Sequence, residues 1–153
     1  AKVGLYHRPR MDEQVSATRW PGGYVAAAQA AREAFEGAPP GRRYELLGAW
    51  EEHAYAMRPV GDGTPHPSVV GVIDAITAAL AAEPLDEVQQ AMLRARRMRH
   101  CWSWPATYRA EAEAEVERAR GLASPEPLAY SLFALHTAME LPAELPRALA
   151  ISE

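Results

Sequence analysis

An all-α fold is predicted: a single compact domain of five to six short helices, preceded by an extended N-terminal arm. Three observations predict it. Alanine, the best helix former, fills about a fifth of the 153 residues. Asn is absent, Ile is scarce and Phe occurs only twice, so the β-branched and aromatic stock of a sandwich or barrel is thin. Apolar residues also recur three and four apart between glycine and proline breaks. A chain of this length suits one domain, able to bury roughly 70% of the surface its unfolded form exposes.

Residues 1–21 hold no sustained period and read as the extended arm, with 22–153 as the helical domain. After Pro21-Gly22-Gly23 a first helix is expected over 24–36, stopped by Gly37-Ala38-Pro39-Pro40. A second, over 42–57, aligns Tyr44, Leu47, Trp50/Glu51 and Ala54 on one face and ends at Pro59. Residues 58–67 are a breaker-rich loop. Ser68 is the expected N-cap of a third helix over 69–82, whose stripe of Val69, Val72, Ile73, Ile76 and Leu80 marks a core helix. A Glu83-Pro84 break leads to a fourth over 86–101, with Asp86 and Glu87 suitably placed in the first turn. Its inward residues are Leu85, Val88, Met92 and Ala95, and Arg94 and Arg97 point outward. Ser103-x-Pro105 and Ser124-Pro125 announce helices over 105–120 and 125–140, the latter with a stripe of Leu128, Leu132, Leu135 and Met139.

Net charge is −4, the wrong sign for a bulk nucleic-acid binder, so nucleic acid is not an expected partner. Lys2 is the sole lysine, and Arg with heavy Ala, Gly and Pro suits a GC-rich bacterial genome. The single cysteine, Cys101, excludes an internal disulfide and a Cys-based zinc cluster. No run of ~18 apolar residues and no signal-peptide pattern occurs, so a cytoplasmic protein without a membrane span is expected.

The densest feature is the run 94–109, with five arginines, His100, Trp102, Trp104 and Tyr108. Arg94, Arg97, Arg99, Trp102, Trp104 and Arg109 form a candidate surface for a protein partner or a small anion. Glu111, Glu113, Glu115 and Glu117 follow at once and offer internal partners for the same arginines. A second candidate is a half-polar pocket of Trp50, His53, Tyr55, His100, Tyr130 and His136, since Tyr and Trp want one polar partner when buried. His136 and Glu140 stand four apart on one helix, but paired Glu-x-x-His and His-Glu-x-x-His motifs are absent, so no metal site is assigned. In the loop before Ser68, Asp62 and His66 are the residues most worth testing. Cys101 reads as a small apolar residue at a helix end.

No catalytic signature stands out. The expected function is a non-catalytic binding or accessory module that docks on a protein partner, or on a second copy, through the arm and the Trp/Arg surface. The alternative is a small helical enzyme or ligand sensor whose His/aromatic pocket takes a small, partly aromatic or anionic molecule. No cofactor is assigned.

Overall fold

A computed structural model describes residues 22–57, 66–100 and 108–139. Six α-helices and one 3₁₀ turn make up the described chain, with no strand among these residues. The helices are α1 (Gly22–Glu36), α2 (Arg43–Tyr55), α3 (Pro67–Ala82), α4 (Glu87–Met98), α5 (Tyr108–Arg120) and α6 (Glu126–Met139), with the 3₁₀ turn at Pro40–Arg42 between α1 and α2. The all-α class expected from composition is the observed one. The expected arm 1–21 lies outside the described residues, as do Asp62, Cys101, Trp102, Ser103, Trp104, Pro105 and Glu140.

Packing divides the helices into two groups. The helices α1, α2 and α3 enclose the larger apolar cluster, made by Phe35, Leu47, Trp50, Ala54, Met57, Val69, Val72, Ile76 and their neighbours. A smaller cluster of Met98, Ala112, Ala134 and Ala138 joins α4, α5 and α6. Helix α4 belongs to both, because Leu93 enters the first cluster and Met98, five residues on, enters the second. Each large apolar side chain buried this way contributes about 1.5–3 kcal/mol.

The helix starts follow their local chemistry. Asp86 caps α4 with a reciprocal box: its side chain accepts from Gln89 N–H at 2.8 Å, and the Gln89 side chain accepts from Asp86 N–H at 3.0 Å. Helix α3 departs from expectation. Its N-cap is His66, not Ser68, and His66 Nδ1 accepts from Ser68 N–H at 3.1 Å. Pro67 supplies the first helical residue, which moves the start two residues earlier than the serine suggested. Ser68 is thereby released for the core, where its Oγ accepts from Trp50 Nε1 at 3.1 Å. Gly71, one turn along, packs against the same indole: a Cβ there would lie 3.4 Å from Trp50 Cζ2, in ordinary contact.

The register of α6 also differs from its leucine stripe. Its buried residues are Pro127, Ser131, Ala134, Thr137 and Ala138, so the small face turns inward, with Ala134 and Ala138 packed against Ala112 of α5 and Met98 of α4. Small side chains on both helices permit close approach, and of the leucine stripe Leu135 packs against the edge of this cluster, with Leu128 and Met139 half-buried. Leu132 is left 45% exposed and Phe133 44%.

Candidate functional site

The most concentrated chemistry lies where α2 meets the end of α4. Glu51 occupies a core position of α2, since Leu47, Trp50, Glu51 and Ala54 are its buried residues at helical spacing. Its side chain is fully buried. A lone buried carboxylate is prohibitively costly, and here it is compensated by four charged or polar donors. Oε1 accepts from Arg99 Nε at 2.7 Å and from His100 Nε2 at 2.8 Å; Oε2 accepts from Arg96 Nη1 and Arg99 Nη2, both at 2.7 Å. Glu52 adds a second carboxylate from the solvent side, 2.8 Å from both Arg96 Nη1 and Arg99 Nη2.

Burial pushes the Glu51 carboxyl up, but the hydrogen bonds and charges of His100 and Arg99 outweigh it and hold its pKa at about 2. Glu51 is therefore ionised and can only accept, which makes His100 Nε2 a donor. Burial likewise pulls the two guanidiniums down, and Glu51 and Glu52 more than restore them, so Arg96 and Arg99 end above the ordinary arginine value. With both oxygens doubly occupied and so low a pKa, Glu51 is no general base. Its work is to tie α2 to α4.

Aromatic rings wall this cluster. The Arg99 guanidinium carbon stands 4.2 Å from the Tyr55 ring centroid and 5.2 Å from that of Tyr130, and Arg96 lies 4.7 Å from Tyr130. Tyr55 meets His100 and Phe133 edge-on, with centroids 5.7 and 5.8 Å apart. Beside it opens a recess of about 270 Å³ lined by Arg99, Ala129, Tyr130 and Phe133. A larger cleft, about 470 Å³, runs between the 3₁₀ turn and the start of α4, where Arg43 is already paired with Glu83 at 2.9 Å.

Of the six residues read as a pocket, the structure gathers Tyr55, His100 and Tyr130 around Arg99. Trp50 instead belongs to the larger apolar core beneath α3, 5.6 Å from the Phe35 ring. His53 and His136 are exposed, because each lies off the buried face of its helix. Among the described residues no group of three or more His, Cys, Asp and Glu is placed to hold a metal.

The arginines read as a partner surface are engaged within the chain. Arg94 Nε donates to Glu115 at 2.9 Å, and Glu115 is also paired with Arg118. Arg97 Nη1 lies 3.5 Å from Thr77 Oγ1, Arg99 turns inward onto Glu51, and Arg109 Nε donates to Glu113 at 3.0 Å. The glutamates after the arginine run thus supply the internal partners that the sequence offered. Trp102, Trp104 and Asp62 lie outside the described residues, and His66 is the cap of α3.

Five participants were not singled out as site residues from sequence: Glu51, Glu52 and Arg96 of the ionic cluster, and Ala129 and Phe133 of the recess. The available signal was Glu51 itself: an acidic residue in register with Leu47 and Ala54 demands a buried cation. Among the described residues no helix is long and apolar enough to cross a membrane. No family model, no curated protein and no solved structure matches this chain.

Proposed function

We propose that the chain is a non-catalytic binding module that docks on a protein partner, with the outer face of α6 at the centre of the contact. One observation carries this reading. Helix α6 packs inward with its small residues and presents Leu132 and Phe133, both over two-fifths exposed, to the outside. A helix that meets the core with small residues and leaves two neighbouring large apolar side chains in water is suited to two interfaces, one internal and one external. Aromatic and arginine groups border the patch, a composition typical of interface anchors. The arm 1–21 and Trp102 and Trp104 remain the further contact elements of this reading.

The test is native mass spectrometry of the chain purified from its own host. A second chain retained by the wild type and lost from Leu132→Asp, with helical circular dichroism unchanged, is the expected result. A bare monomer for the wild type, or association indifferent to Leu132→Asp, refutes the reading.

The ligand-sensor alternative keeps one favourable observation, the recess beside Arg99. Ligand-dependent mass in the native spectrum, in place of a second chain, would favour it.

A further inference from the structure

We infer that the recess on α6 receives the terminal residue of a partner chain, one that ends in an aromatic or leucine side chain and a free carboxylate. This rests on the docking reading above and specifies what that surface recognises. Arg99 carries it. The residue is 95% buried, and its Nε and Nη2 are committed to Glu51 and Glu52. Nη1 has no hydrogen-bond partner among the described residues, yet it is not among the polar atoms sealed from solvent. One charged N–H edge, on a residue that lines the recess and is held in place by its ion pairs, is thus left unbonded and not sealed from solvent.

The immobility matters. The Glu51 fork and the Tyr55 and Tyr130 rings fix the guanidinium, so a ligand does not bear the rotamer entropy that a surface arginine would lose. Arg99 only donates, and a carboxylate is the matching acceptor. The remaining walls, Ala129, Tyr130 and Phe133, offer mostly apolar surface. An apolar body bearing a carboxylate satisfies both halves of the recess at once, and a chain terminus supplies both from one residue.

Size and charge narrow the choice. At about 270 Å³ the recess falls below the roughly 300–1,000 Å³ of sites that enclose whole small ligands. It suits one side chain, with the preceding residues of the partner running over exposed Leu132. Two carboxylates, Glu51 and Glu52, already balance the two guanidiniums of Arg96 and Arg99. The ion pairs leave a single guanidinium edge for a ligand, so recognition of one carboxylate rests on a directed hydrogen bond.

The experiment titrates the full chain with N-acetyl-phenylalanine, N-acetyl-phenylalaninamide and an acetylated Ala-Ala-Phe peptide, read by amide shifts in NMR. The acid should give saturable shifts at residues 129–133, and the amide should bind about ten-fold more weakly or worse, the loss expected for a charged hydrogen bond. The tripeptide should bind more tightly than the single residue. Phe133→Ala, an exposed substitution, should keep the fold and weaken acid binding several-fold. Equal binding of acid and amide, or undiminished binding by Phe133→Ala, overturns the proposal. A tripeptide weaker than the free residue overturns the chain terminus in favour of a small carboxylate. Failure of the docking reading registers separately, as a native spectrum without a second chain.

Discussion

Replacing Glu51 by Gln preserves the shape of the site and removes its charge. The amide retains one accepting oxygen but sets an NH₂ group against the donors of Arg96, Arg99 or His100, and both guanidiniums lose their buried counter-charge. Two estimates bracket the loss. The fall of the carboxyl pKa from 4.5 to about 2 corresponds to about 3 kcal/mol. Removal of one partner from a buried ion pair costs about 3–5 kcal/mol. Against a total stability of about 5–15 kcal/mol this is a large share. Equilibrium urea unfolding measures it: with a slope of about 2 kcal/mol/M, the midpoint should fall by about 2 M. Glu52→Gln is the control, since Glu52 is 53% exposed and should cost under about 1 kcal/mol. The pH dependence supplies a second reading. A depressed folded pKa means stability that is fully present above pH 4.5 and lost as the pH falls towards 2, so the wild type should destabilise across that window more steeply than Glu51→Gln. A loss below about 1 kcal/mol, together with equal pH slopes, would show that Glu51 is not the tie between α2 and α4.

Three further outcomes follow from the packing. His66 caps α3 through an unprotonated Nδ1, and burial lowers its pKa below 6.5, so the cap holds above that pH and fails as pH falls through the lower folded value. The protection factor of the Ser68 amide, corrected for the intrinsic exchange rate, should fall on acidification in the wild type but not in His66→Asn; equal protection factors at pH 7.5 and 5 contradict this. Ser68→Ala leaves the Trp50 indole N–H without its acceptor and should cost about 1–3 kcal/mol in urea, whereas a loss within about 0.5 kcal/mol would mean the bond is replaced. Ser131 Oγ is buried with no hydrogen-bond partner among the described residues, so Ser131→Ala should raise stability by about 1 kcal/mol; a loss of similar size would reveal a partner for that hydroxyl.

Alanine content, proline and glycine breaks and local caps act within a few residues of the chain, so the class of fold and the approximate span of the helices are legible in the residues alone. The capping box at Asp86 and the Val69-Val72-Ile76 face of α3 were legible for that reason. The start of α3 was less so: His66 and Ser68 both offer a capping acceptor, and the serine is withdrawn by a tertiary bond to Trp50. The face of α6 was decided entirely by packing. Its leucine and small-residue positions are both helical in period, and packing against Met98 and Ala112 buries Ala134 and Ala138 and keeps Leu135 at the edge. The ionic cluster is of the same kind. Helical spacing places Glu51 inside, but which cations meet it depends on how α2 crosses α4, some 45 residues further along the chain. Long-range pairing of charges has no local period to announce it, so Arg99 reads as a surface group in the sequence and becomes, once the helices pack, the fixed floor of the recess.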